Sequence, residues 1–216
     1  DSFVHPDYKN STYDNGKVKN APWPDTFKRY ATATRRIDDA VGDILQLLED
    51  LKISENTIVV FTSDNGPSIE AYLPAGYAPN NPEFFASFGP FDGIKRDVWE
   101  GGLRMPTLVT WAQHIPAGKV VVSPSMLSDW MPTFADVAGI SAPARTNGVS
   151  LVPSLTGKGS QAESLIYSEY SEGGKTPDFK AFEASRRGRK RGQMQMIRLG
   201  DFVGVRYDIK SADDDF

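Results

Sequence analysis

Two short stretches of this 216-residue chain hold residue types able to bind a cation and an anion side by side. The first is Ser63-Asp64-Asn65-Gly66-Pro67, which directly follows the β-branched run Thr57-Ile58-Val59-Val60-Phe61-Thr62. Such a run reads as a strand covered on both faces. In open α/β sheets, ligands gather beyond the carboxyl ends of the strands, and Asp64 and Asn65 stand at such an end. A carboxylate and an amide carbonyl are hard oxygen ligands, suited to calcium or magnesium and poorly suited to zinc. Asp-Asn-Gly is also a good turn sequence, and a plain turn accounts for it as well.

The second stretch runs from Gly93 to Pro106, GIKRDVWEGGLRMP. It concentrates cations, acids, a Trp and the pair Gly101-Gly102 just before a second apolar run. Lys95 is placed to meet an anion as a point charge, and the glycines permit close backbone approach. Taken alone, the same residues make a solvated basic turn.

These residues need elements to hold them. Residues 1–25 are rich in Asn, Asp, Pro, Tyr and Gly without a regular period and read as an extended surface segment. From Asp25, a plausible N-cap, Ile37, Val41, Ile44, Leu48 and Leu51 recur at spacings of four and three, which predicts a helix over 25–51 with that stripe buried. Helix followed by buried strand implies α/β architecture with a parallel sheet. Residues 67–92 carry repeated Pro, Gly and aromatics and form a long irregular loop, a kind that is usually functional or mobile. A second strand is expected at 107–111 and a helix at 128–138, with Gly139 after its end. Residues 148–159 read as a turn-rich connector. Strands at 164–169 and 194–207, the latter broken by a Gly200-Asp201 turn, predict a change to a small antiparallel subdomain. No internal repeat is found.

Composition narrows the classes further. With 39% hydrophobic and 24% charged residues the chain is ordinary globular protein, not collagen-like, low-complexity or disordered. Twenty-four Lys plus Arg against 28 Asp plus Glu give a net charge of −4, so nothing global points to nucleic acid or an anionic membrane. No apolar run approaches the roughly 18 residues that span a bilayer. The absence of cysteine excludes disulfides, thiolate metal sites and a Cys nucleophile within these residues.

Taken in order, DDAVGDILQLLEDLKISENT, IVVFTSDNGP, GIKRDVWEGGLRMPTLVTW, HIPAGK, DWMPTFADVAG and NGVSLVPSLTGKG resemble the C-terminal part of the type I sulfatases. These are formylglycine-dependent sulfuric ester hydrolases of the alkaline-phosphatase-like fold. The resemblance covers residues 25–207. It implies that residues 1–158 are the C-terminal portion of the α/β core and 159–216 the start of an antiparallel α+β subdomain. It further implies that Asp64 and Asn65 are calcium ligands and that Lys95 is the catalytic lysine binding the substrate's sulfate group. The family's formylglycine arises from a Cys/Ser-x-Pro-x-Arg motif near the N-terminus, which the opening residues of this chain do not carry, and Ser123-Pro124-Ser125-Met126 lacks the spacing and the arginine. The chain therefore reads as a fragment whose N-terminal half, a possible partner, supplies the nucleophile and further acidic ligands. His5 falls in the surface stretch that follows the family's catalytic His, and His114 in a structural turn. The resemblance implies a sulfated small molecule or glycan as substrate and a periplasmic or extracellular location.

One segment departs from the pattern. Residues 186–191, RRGRKR, read as a solvated loop or, more sharply, as a contact for further sulfates of a polyanionic glycan. Two other functions remain open from the sequence. One is a phosphodiesterase or phosphonate hydrolase of the same superfamily, in which Asp-His would more often replace Asp64-Asn65. The other is a non-catalytic carbohydrate-binding module.

Overall fold

In a computed structural model, residues 3–69 and 78–211 are described. The predicted loop residues 70–77 and the acidic end Asp213–Phe216 lie outside that range. A one-turn helix α1 (Pro6–Lys9) and a two-residue strand pair, β1 (Thr12–Tyr13) with β2 (Ala21–Pro22), precede the long helix α2 (Asp25–Asp50). Strand β3 (Ile58–Thr62) follows, then the short helix α3 (Glu100–Leu103) and strand β4 (Thr107–Trp111). Helices α4 (Trp130–Val137) and α5 (Val152–Thr156) lead to a three-stranded antiparallel sheet of β5 (Ile166–Lys175), β6 (Lys190–Leu199) and β7 (Phe202–Tyr207).

Most elements lie where local sequence puts them. The run of β-branched residues makes β3, and Gly200 takes φ +57° in the turn that joins β6 to β7. Gly139 takes φ +68° just beyond α4, as a helix-terminating glycine does. Pro24 rather than Asp25 occupies the cap position of α2. The 148–159 connector contains α5, opened by Pro153 in its first turn and closed by Gly157 at φ +77°.

Three expectations are overturned. The stripe on α2 is not buried: Ile37, Ile44 and Leu51 are 52%, 55% and 58% exposed, and only Thr32 of this helix is fully buried. The amphipathic period is present, but among the described residues no layer lies over it. Strand β3 is half-buried throughout instead of covered on both faces. Its partner β4 runs antiparallel to it, Ile58 opposite Trp111 and Thr62 opposite Thr107, not parallel. Only the strand-to-strand register reports direction, and a single strand's composition does not carry it.

The apolar interior consists of two small clusters, both touching the Gly93–Pro106 stretch. Phe88, Ile94, Phe179 and Phe182 form one. Val98, Met194 and Met196 form the other, flanked by Leu103, Ile166, Val203, Val205 and Tyr207. The β5–β7 sheet therefore packs directly on the segment that carries Lys95.

A separate polar hub anchors α4. The buried Asp129 carboxylate accepts from Met126 N at 2.7 Å, Val149 N at 2.9 Å and Ser164 Oγ at 2.6 Å. Thr133 continues the network, donating to Asp129 O and accepting from Leu151 N. In the intact protein, Asp129→Ala strands three donors and is expected to lower stability by about 3 kcal/mol or more. Urea denaturation measures this, and a loss below about 1 kcal/mol would show the hub to be dispensable.

Candidate active site

The turn after β3 is stitched to the Lys95 loop through main-chain atoms. Gly66 N donates to Gly102 O at 2.8 Å, and Lys95 N donates to Pro67 O at 2.8 Å. Gly101 N closes the loop on itself by donating to Asp92 O at 2.8 Å. These contacts need residues without side chains. A Cβ on Gly66 would lie 2.1 Å from Gly101 O, and one on Gly101 would lie 2.4 Å from Gly93 O. One on Gly102 would lie 2.4 Å from Ile94 O. The two stretches singled out by their chemistry thus converge at one end of β3, and the glycines are the reason they fit.

Within this arrangement Asp64 is exposed, while Asn65 and Lys95 are half-buried. The Asp64 carboxylate takes no hydrogen bond or ion pair among the described residues, which leaves its oxygens available. Hard oxygen donors of this kind fit calcium in type. The set is partial, because among the described residues no three His, Cys, Asp or Glu side chains converge on a common point.

Two acids flank Lys95, and both are gripped from the far end of the chain. The Asp92 side chain accepts from Glu183 N at 2.8 Å and pairs with Arg186. Asp97 is fully buried: it accepts from Thr176 Oγ1 at 2.7 Å, from Arg191 Nε at 2.8 Å and Nη2 at 3.2 Å, and from Ile94 N at 3.0 Å. Glu100 adds a third link, accepting from Arg198 Nη1 at 2.9 Å and Arg104 Nη2 at 2.7 Å.

The basic run is consequently not a solvated loop. Arg186 also stacks over Trp99 at 3.9 Å, Arg189 lies over the Tyr207 ring at 3.8 Å, and Arg187 donates to the carbonyls of Phe182 and Lys180. Intramolecular contacts hold all four arginines, so their charge belongs to the architecture around Lys95. Burial, reinforced by the nearby Asp97 carboxylate, raises the Tyr207 phenol above its ordinary range and keeps it neutral at physiological pH. Asp92, Asp97 and the arginine partners were missed in sequence. The available signal was the coincidence of two acids around Lys95 with an isolated block of cations.

The histidines stand apart. His5 Nδ1 accepts from Asp7 N at 3.3 Å and caps α1, while His5 N donates to Thr32 Oγ1. His114 stacks on Trp111 with ring centres 3.9 Å apart. Ser123–Met126 leads into the turn before α4.

Against protein families, residues 3–140 match the family described as Sulfatase. The chain belongs to the sulfatase family. This sulfatase chain is 41% identical over 131 residues to N-acetylgalactosamine-6-sulfatase of Canis lupus familiaris, covering 60% of the chain and 23% of that protein. The chain thus spans about a quarter of the length of that relative. Among solved structures it resembles one in complex with its substrate D-glucosamine-2-N,6-O-disulfate, with TM-score 0.56 and 25% identity, covering 85% of this chain and 32% of that one. A phosphonate monoester hydrolase from Silicibacter pomeroyi shares the fold with TM-score 0.55 at 21% identity, over 89% of this chain and 35% of that one. The sulfatase chain therefore carries the alkaline-phosphatase-like α/β fold expected from its sequence.

Because the main-chain stitch tolerates no β-carbon, Gly66→Ala is expected to displace the turn of Asp64 and Asn65 or to destabilise the protein. The cost is on the order of the 1–3 kcal/mol typical of overpacking a filled site. Thermal unfolding of the intact protein reads the effect, and an unchanged melting temperature would contradict the described contact.

Proposed function

We propose that this chain is the C-terminal part of a calcium-dependent sulfatase that hydrolyses sulfate esters, and that Asp64, Asn65 and Lys95 are its share of the active site. The observation that supports the reading most directly is the main-chain stitch between the turn at Asp64-Asn65 and the loop of Lys95, in a chain of the sulfatase family. It gathers oxygen donors for a cation and an ammonium for an anion at one strand end.

In this reading Asp64 and Asn65 supply two of the oxygens that hold calcium, and water or acids from elsewhere in the protein complete a shell of about six to eight. Calcium bound there contributes fixed positive charge against a sulfate oxygen. Lys95 contributes a second, and both favour the charge that grows as the ester bond breaks. The one sequence of Cys/Ser-x-Pro-x-Arg form in the chain, Ser141-Ala142-Pro143-Ala144-Arg145, lies in an exposed stretch beyond α4 with no hydrogen bond to the Asp64 turn or the Lys95 loop among the described residues, so a formylglycine nucleophile would come from the remainder of the protein. Residues 1–158 then form the C-terminal portion of the catalytic core and 159–216 the start of the smaller subdomain, with the N-terminal half as the natural partner of both.

The name of the canine relative and the substrate in the disulfated glucosamine complex both support a sulfated sugar as substrate. A periplasmic or extracellular location accords with that, and no helix of the described residues is long and apolar enough to cross a membrane.

In the intact protein, Lys95→Ala should lower kcat/KM for 4-nitrophenyl sulfate about 100-fold, the scale of losing one donor to developing charge. A change under about twofold, within the scatter expected of a surface substitution, removes Lys95 from the site. Asp64→Ala should bring the same protein to the residual rate that the parent shows after calcium chelation, and added calcium should restore the parent alone. Full activity of Asp64→Ala without calcium would overturn the metal assignment. A phosphonate ester turned over faster than the sulfate would favour the hydrolase alternative.

A further inference from the structure

Asp97 has no part in the proposed chemistry, yet it is the most firmly held acid in the molecule's described part. Its side chain is 0% exposed, and Arg191, itself 9% exposed, reaches it across 94 residues of sequence. The backbone geometry between Asp97 and Lys95 gives that grip a purpose. Asp97 N donates to Ile94 O at 2.9 Å, and Ile94 N donates back to Asp97 Oδ2 at 3.0 Å, so the turn is closed twice. Lys95 and Arg96 are its two central residues. Arg96 adopts φ +79°, the left-handed value that the third residue of a type II turn requires and that a side chain with a β-carbon disfavours.

Such a conformation persists only where the surroundings over-determine it. Here they do. Ile94 is buried with Phe88, Phe179 and Phe182 on one side, and Val98 with Met194 and Met196 on the other. Between these two anchors, Asp97 is fixed by Thr176 and by the two-pronged Arg191 contact. The β5–β6 register shifts between Glu172 and Lys175, and Gly174 takes φ +83° in that irregular stretch beside Arg191, a conformation that a residue with a side chain rarely adopts. A bulge of this kind commonly re-aims a side chain near a working site.

We propose that Asp97, gripped by Arg191 and Thr176, is the positioning residue for Lys95, so that the C-terminal sheet sets where the sulfate-binding ammonium stands. This inference rests on the reading of Lys95 given above. Asp97 acts through the turn and not on substrate, and the cost of releasing it is misplacement of the lysine by a fraction of the turn's width.

The test is a double-mutant cycle on the intact protein with 4-nitrophenyl sulfate as the probe, comparing the parent with Lys95→Ala, Asp97→Asn and the double variant. Asp97→Asn is expected to lower kcat/KM at least about tenfold, since small misplacements of a positioned group carry costs up to about 100-fold. The double variant should then be no less active than Lys95→Ala alone, so that Lys95→Ala lowers the activity of the Asp97→Asn protein by about tenfold or less instead of about 100-fold. Two results would overturn the proposal: an Asp97→Asn protein within twofold of the parent, or a double variant that shows the full product of the two single losses. The second would assign Asp97 to stability alone. If Lys95→Ala is silent in the parent, the reading of Lys95 fails in its own arm and the proposal falls with it. Should Asp97→Asn not fold, Arg191→Lys takes its place in the cycle, since it keeps the buried charge but not the two-pronged contact, and the same two results would overturn the proposal.

Discussion

Two backbone segments can pack closer than ordinary side chains allow only where no β-carbon stands between them. In this chain that condition is met by Gly66, whose missing side chain would overlap Gly101 O of the facing segment, and by Gly101 and Gly102, whose missing side chains would overlap Gly93 O and Ile94 O of their own loop. The end of β3, the turn of Asp64 and Asn65 and the loop of Lys95 share one framework because of it. Everything distinctive about the site follows from this close approach. Side chains of opposite charge are brought to one strand end by groups that have no side chains at all.

Charge then fixes what the glycines bring near. A buried carboxylate is tolerable only with partners for its oxygens, and Asp97 has four donor contacts. The Asp97–Arg191 pair need not make the protein more stable than an apolar replacement would, since desolvation of both ions offsets much of their attraction. What the pair does supply is a location. Removing one partner alone leaves an uncompensated buried charge, a loss of about 3–5 kcal/mol, so loop and sheet are held to a single arrangement. Asp92 with Arg186, and Glu100 with Arg198, repeat the link on either side at less buried positions.

What was legible in the sequence was whatever depends on near neighbours. The β-branched run at 57–62, the Gly139 and Gly200 signals and the period of α2 each depend on a few adjacent residues, and each gave the element found. The family resemblance and the fold it implies were legible too, because several stretches matched in the same order along the chain. What failed depends on partners far along the chain. The strand direction of β3 with β4 is decided by pairing across 45 residues or more, which composition does not record. The stripe of Ile37, Ile44 and Leu51 announces that a face wants cover but not whether these residues provide it. The cations of 186–191 looked solvated because their acids, Asp92 and Asp97, sit some 94 positions away.

That separation has a temporal side. Residues Asp92 to Gly102 leave a ribosome well before Thr176, Arg186 and Arg191 exist, and contacts of such high sequence separation form late because the long loop between them must first close. Until β5 and β6 have paired, the Thr176 and Arg191 contacts that fix Asp97 are missing, and the Lys95 turn rests on its own hydrogen bonds and the one to Pro67. The Lys95 corner of this sulfatase chain is thus among its last parts to mature, and the order of synthesis ensures that a shortened chain ending before Arg191 carries the residues of that corner without the full grip on Asp97.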